Sequence, residues 1–292
     1  MRYIINENTK IAKQIEYIYE YVCLEHVINI ESKFNQWIVD VEPHNSVKIP
    51  ILIIDTTSHA AFCHWVFESA IYLPFFLILK KKYPKLKLHL TEYKTYKTLF
   101  CDYFQIQSSD IIYELEPNNI CIFPLPVSSL NINRLDRRWK NHFDYFIAQL
   151  SSLLGDMDGE KTISTIFLPR QTKENYKAND RTYNTVDISE HLMGETDYIL
   201  HTDTITELKT QMELVNSSKN MIVTGGSPYL VNGLFSRNSS IIVLDNLIQY
   251  QMREFSKMKY VHDEICKHNH VVFIPNRNNN TFYYNDIVNE LI

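Results

Sequence analysis

Three groups of residues in this sequence have the types and spacing that chemistry requires. His64 and Glu68 are four apart in a stretch that reads as the helix Ala60–Lys82, so both side chains fall on one helix face. A histidine oriented by a carboxylate is a workable general base near neutral pH. Asp55 ends the apolar run Ile51–Ile54 and His59 lies in the loop that follows, so both are further candidates for that base. The plain alternative is that His64 and Glu68 only hydrogen-bond each other on a partly buried helix.

The second group is the stretch Met221–Asp245. The chain has 6 glycines, and Gly225, Gly226 and Gly233 all fall here. A buried strand, Met221–Val223, runs into Thr224, Gly225, Gly226, Ser227 and Pro228. A short amphipathic helix with Leu230, Leu234 and Phe235 follows, then the strand Ile241–Leu244 ending at Asp245. Adjacent glycines let backbone approach a ligand, and proline suits a first helical turn. A helix that opens this way offers unpaired N–H groups and a positive dipole end to phosphate. Asn232 lies on the helix, and Asp245 is placed to accept ribose hydroxyls or simply to cap the next helix. An ordinary strand-to-helix turn is the competing interpretation.

The third group is Arg170, Arg181 and Asn184. Arginine forks bind diphosphate oxygens bidentately and offset the charge of a departing diphosphate without metal, although arginines in so polar a segment are usually solvated. Asp156 and Asp158 spell a DxD in a turn-rich stretch after a helix, which suits a solvated turn better than a metal site. No histidine, cysteine or carboxylate cluster has ligand spacing, so no metal is expected.

The elements that must position these residues alternate. A helix over Thr9–Asn29, with Ile11, Ile15, Ile18, Tyr19 and Val22 as its stripe, precedes the strand Ile51–Ile54 and the helix Ala60–Lys82. Strand Leu86–Leu90, helix Tyr96–Phe104, strands Ile111–Leu115 and Ile120–Phe123, and helix Arg134–Leu154 follow. Gly155–Lys161 is the most linker-like segment. Beyond it come strand Ile163–Leu168, helix Asp187–Met193, strand Tyr198–His201, helix Ile205–Asn216, the glycine stretch, helix Leu247–Lys259, strand His270–Ile274 and helix Asn285–Ile292. This alternation predicts an α/β protein of two lobes, residues 1–154 and 162–292, joined by 155–161, with a ligand cleft between them. The terminal helix is free to pack back on the first lobe.

Composition narrows the function classes. With 292 residues, 45% hydrophobic and 22% charged, the chain has the balance of a globular protein with a large core. A net charge of −5 argues against general nucleic-acid binding. Cys23, Cys63, Cys101, Cys121 and Cys266 are scattered, as expected of buried reduced thiols in a cytoplasmic protein. No signal peptide is expected from the N-terminal residues, and the longest apolar run, Ala70–Leu79, is short for a membrane span.

The run FCHWVFESAIYLPFFLIL (Phe62–Leu79), the Leu168, Pro169, Arg170 strand end, Arg181, Asn184, the helix Thr204–Asn216 and the Val223–Asn232–Phe235 glycine pattern together resemble glycosyltransferase family 61. The resemblance spans about Ile51 to Asp245. It implies a GT-B architecture of two Rossmann-like lobes, with the nucleotide sugar in the C-terminal lobe and the acceptor in the N-terminal one. It also implies inverting, metal-independent transfer. Where the family usually has histidine followed by glycine, this chain has Gly226 and Ser227.

The resulting expectation is a cytoplasmic, inverting glycosyltransferase. Its base is His64, Glu68, His59 or Asp55. Its donor site comprises Arg170, Arg181, Asn184, Thr224, Gly225, Gly226, Ser227, Asn232 and Asp245. The donor is a nucleotide sugar, UDP-linked, with no cofactor besides it, and the acceptor is a glycan or glycolipid hydroxyl. Peripheral membrane contact is compatible with such an acceptor, and self-association is left open. An inactive nucleotide- or glycan-binding protein and a non-hydrolysing nucleotide-sugar epimerase are the alternatives.

Overall fold

The computed structural model describes residues 19–21, 50–54, 62–91, 95–114, 120–123, 137–155, 160–169, 184–192, 194, 197–201, 206–245, 256–275 and 281–291. The chain divides into two compact units, Met1–Gln149 and Leu150–Ile292. Each holds its own five-stranded sheet, and the strand pairs of both are parallel. Parallel sheets are covered on both faces, which is why their strands read as continuous apolar runs such as Ile241–Leu244.

The first sheet has β1 (Tyr19–Tyr21), β2 (Pro50–Ile53), β3 (Lys87–His89), β4 (Ile111–Ile112) and β5 (Ile120–Phe123), in the order β1-β5-β2-β3-β4. The helix expected over Thr9–Asn29 is corrected at its centre. Tyr19, Glu20 and Tyr21 form an edge strand in register with Cys121, Ile122 and Phe123. Two tyrosines suit a pleated surface, and pairing with β5 overrides a helical stripe. The rest of that stretch lies outside the described residues.

The helix expected over Ala60–Lys82 is broken into α1 (Phe62–Glu68), a 3-10 turn at Ala70–Tyr72, and α2 (Leu73–Lys82). Pro74 explains the break. It has no N–H to give the Ala70 carbonyl, which takes the Leu73 N–H in a tighter turn instead. The helical stretch Phe62–Lys82 spans 21 residues and is by length and composition long and apolar enough to cross a membrane, unlike the shorter run read from the sequence. Of its most apolar window, 72% is buried inside the protein, the pattern of a core helix. Trp65, Phe67, Phe75 and Phe76 are among its buried side chains. α3 (Thr95–Tyr103) and α4 (Arg137–Gly155) complete the described helices of this unit, and the Trp139 indole N–H of α4 donates to the Phe67 carbonyl at 2.7 Å. α4 runs through the boundary between the units and ends at Gly155.

The second sheet has β6 (Ile163–Leu168), β7 (Asp197–Ile199), β8 (Ser218–Thr224), β9 (Ser240–Leu244) and β10 (His270–Ile274), in the order β10-β9-β8-β6-β7. Its described helices are α5 (Val186–His191), α6 (Leu208–Asn216), α7 (Ser227–Phe235) and α8 (Lys257–His268). Phe167, Ile222 and Ile242 lie side by side in register on one face. Ile188 and Leu192, from α5 and its end, close over them with Phe282 and Ile287 of the C-terminal segment. α7 packs between α6 and α8. At the start of the unit Lys161 is already anchored, its ammonium donating to the Arg237 carbonyl at 2.5 Å and to the Ser239 hydroxyl at 3.1 Å.

Most of the helix read as Leu247–Lys259 lies outside the described residues; the structure adds α8 at Lys257–His268, where the Ser256 hydroxyl accepts from the Lys259 N–H at 3.1 Å. One further expectation is corrected here. The terminal helix read as Asn285–Ile292 is instead two 3-10 turns, Tyr284–Asp286 and Val288–Glu290. These turns pack on their own unit: the Tyr284 N–H donates to Asp187 at 2.6 Å, and its ring stacks on His191 at 4.9 Å. Of the cysteines, Cys63 and Cys101 are buried, and burial pushes the Cys101 thiol up to about 12; Cys266 is exposed, contrary to expectation.

Candidate functional site

In the second sheet the connection leaving β6 goes to β7 on one side, and the connection leaving β8 goes to β9 on the other. β6 and β8 are neighbours, so the strand order reverses between their C-terminal ends. In open parallel sheets ligands sit in the crevice at such a reversal. The turn that follows β8 is the glycine pair.

The geometry of that turn requires both glycines. Gly226 has φ 88° and ψ −137°, a conformation closed to ordinary side chains, and it occupies the position before the first turn of α7. At Gly225 a Cβ would overlap the carboxylate and Cβ of Asp245, so the glycine admits that side chain from the end of β9. The N-cap of α7 is Gly226, which brings no capping side chain of its own. Its first closed bond runs from the Leu230 N–H to the Gly226 carbonyl at 3.0 Å, and Pro228 has no N–H to offer. Ser227 is half-buried at the mouth of the helix, and neither its N–H nor its hydroxyl bonds another described residue. A helix start of this kind, with its dipole positive outward, attracts an anion.

The remaining donor-site candidates separate. Asn232 is buried on α7, where its amide donates to the Pro228 carbonyl at 2.7 Å and its oxygen accepts from Gln211 of α6 at 2.5 Å. Its carboxamide therefore joins two helices and does not face the turn's solvent side. Thr224 is fully buried, and its hydroxyl has no hydrogen-bond partner among the described residues. Asn184 is exposed and precedes Thr185, the N-cap of α5; its carbonyl accepts from the Phe282 N–H at 3.0 Å and its side-chain oxygen from the Val186 N–H at 3.3 Å. It also pairs in parallel with Thr281. Arg170 and Arg181 lie outside the described residues.

In the first unit His64 and Glu68 meet as their spacing predicts. Nδ1 of His64 lies 3.1 Å from Oε1 of Glu68, with side chains 42% and 17% exposed. A carboxylate only accepts, so Nδ1 carries the proton, and in the neutral ring Nε2 keeps its lone pair. The Glu68 hydrogen bond raises the His64 pKa above 6.5, against a smaller lowering by burial. Asp55 and His59 lie outside the described residues.

Two polar arrangements had no clear signal in the sequence. The ammonium of Lys97 is wholly buried, donates to the Thr91 hydroxyl at 3.1 Å and sits 5.3 Å from the ring centre of Trp65, the neighbour of His64. In the second unit the Tyr229 hydroxyl lies 2.6 Å from Nδ1 of His262, and Sγ of Cys266 lies 3.6 Å from Nε2 of the same ring. Burial lowers the His262 pKa and raises that of Cys266, so both stay neutral near pH 7 and the thiol is not activated. The His262 to Cys266 spacing of four was the only hint available. Among the described residues no group of three histidine, cysteine or carboxylate side chains converges on a metal position.

No family model matches this chain, and no curated protein matches it.

Proposed function

We propose that the chain is an inverting, metal-independent glycosyltransferase of GT-B type that seats the diphosphate of a nucleotide-sugar donor at Gly225, Gly226 and Ser227. The observation that carries this proposal is the start of α7 behind a glycine at φ 88°, where Ser227 bonds no other described residue, placed where the strand order of the second sheet reverses. The resemblance to glycosyltransferase family 61 supplies the reaction. The second unit is then the donor lobe and the first the acceptor lobe.

In the proposed reaction the acceptor hydroxyl gives its proton to Nε2 of His64 as its oxygen attacks the anomeric carbon. The bond to the diphosphate breaks on the opposite face. Negative charge grows on the leaving phosphate, and the Ser227 N–H, the Ser227 hydroxyl and the α7 dipole stabilise it. Glu68 holds the imidazole in the tautomer that accepts at Nε2 and stabilises the imidazolium that forms. Asp245, held against Gly225, accepts ribose hydroxyls. Arg170 and Arg181 add charge to the diphosphate on the strength of their positions in the sequence.

A second possibility is a nucleotide- or glycan-binding protein without turnover, which Gly226 and Ser227 favour because the family usually has a histidine and a glycine there. Incubation with UDP-sugars and a mixed glycan acceptor panel separates the two. Release of UDP together with a glycosylated product of inverted anomeric configuration supports transfer. Binding without product supports the second possibility, and sugar conversion with no acceptor present supports an epimerase.

A further inference from the structure

We propose that Lys257, the first residue of α8, supplies a second positive group to the phosphate seat at the start of α7; this rests on the nucleotide reading above. The packing of the two helices places it. α7 joins β8 to β9 and α8 follows β9 into β10, all parallel strands, so both helices run from the C-terminal edge of the sheet to the other edge. The Tyr229 hydroxyl of α7 meets Nδ1 of His262 of α8 at 2.6 Å. Gly233 faces Ile265 so closely that an added Cβ would lie 2.8 Å from its Cδ1. Lys257, Val261 and Ile265 are four apart and all buried, so they share the inward stripe of α8. Ile265 back to Lys257 is about 12 Å of helical rise, and Gly233 back to Ser227 is about 9 Å. Lys257 therefore stands level with Ser227 to within about 3 Å, on a neighbouring helix whose axis is about 8–10 Å away. A four-carbon stem bridges such a gap.

A lysine is costly here on two counts. It is 1% exposed, so its charge has left water, and it opens a helix whose dipole is positive at that end. The first turn of α8 holds no acidic residue to offset it. The start of α7 brings a second positive helix end to the same sheet edge. The Asp245 carboxylate, held over Gly225, answers part of this. Two helix starts and one ammonium still exceed it by about one positive charge. A diphosphate restores the balance, whereas a neutral ribose or sugar does not, and burial of the ammonium strengthens the attraction.

Titration calorimetry of the full chain with UDP and inorganic pyrophosphate tests this. Lys257→Met keeps a long unbranched side chain and removes its charge. Both ligands are expected to bind it about 10- to 100-fold more weakly than they bind the wild type. Added KCl should weaken wild-type binding more steeply than binding by the variant, because one screened contact is gone. Wild-type affinity for both ligands in Lys257→Met would overturn the proposal and leave the glycine turn standing as the seat. Weakening of UDP alone, or weakening with an unchanged salt dependence, would also overturn it, because the residue would then act on the nucleoside or on the fold. A second measurement needs only the wild-type side chain. The Lys257 ε-methylene carbon resonance, assigned by its disappearance in Lys257→Arg, is expected to shift as pyrophosphate saturates the Ser227 amide. A resonance unmoved at that saturation overturns the role of the lysine alone. If the wild type binds neither UDP nor pyrophosphate, both proposals fall.

Discussion

Nδ1 of His64 and Oε1 of Glu68 are 3.1 Å apart on one face of α1, and this contact raises the imidazole pKa above its ordinary value of 6.5. A general base works in its neutral form, so turnover is expected to rise with pH through that elevated pKa. Glu68→Gln removes the negative charge and moves the inflection to lower pH, with a smaller loss than His64→Ala, whose loss is about 10²- to 10⁴-fold. An unchanged kcat in His64→Ala would remove the histidine from the reaction. The same shift has a stability signature. The folded pKa lies above the unfolded one, so the contribution is full below about pH 6.5 and fades as pH rises through the folded value. Denaturation midpoints of wild type and Glu68→Gln, compared on both sides of that window, read it out.

Gly225 and Asp245 cannot both carry side chains in this geometry. Gly225→Ala is expected to lower stability by about 1–3 kcal/mol, as overpacking does. Asp245→Gly in the same chain should recover most of that loss, because it removes both the carboxylate and the Cβ that clash. Additive effects of the two substitutions in a denaturant series would show that the side chains do not meet.

Asn232 and Gln211 give the opposite expectation. Asn232→Ala leaves the buried Gln211 amide without its acceptor, so stability is expected to fall by about 1–3 kcal/mol. UDP affinity at saturating folded protein should stay within a factor of about two of wild type, since the carboxamide lies between helices. A large loss of affinity at unchanged stability would put Asn232 in the ligand site.

Turnover is expected to persist in excess EDTA. The proposed leaving-group stabilisation uses a helix end and side chains rather than a cation. Activity lost to chelation and restored by manganese would contradict it.

The sheets were legible in the sequence wherever strands are buried on both faces. Ile241–Leu244 and Ile163–Leu168 stand out as apolar runs, and the structure lengthens or trims such strands by a few residues. The His64–Glu68 contact was legible because four-residue spacing fixes a helix face. What failed depended on distant partners. Tyr19–Tyr21 became a strand through pairing with β5, about a hundred residues away in the chain. The Asn184 to Thr281 bridge and the placement of Asp245 over Gly225 are likewise set by strand order, which no local pattern carries. α8 is different, because its signal was present. Ser256 as a cap and Val261 with Ile265 at helical spacing mark it, and the competing stripe before Lys259 obscured them.

The most direct measurement is a backbone amide chemical-shift titration of the full chain with UDP. The amides of Gly225, Gly226 and Ser227 are expected to move most and to saturate together, because the diphosphate is received by the open end of α7. Saturable shifts confined to Met1–Gln149, or no saturable shift at these three amides, would contradict the assignment of the turn as the nucleotide site.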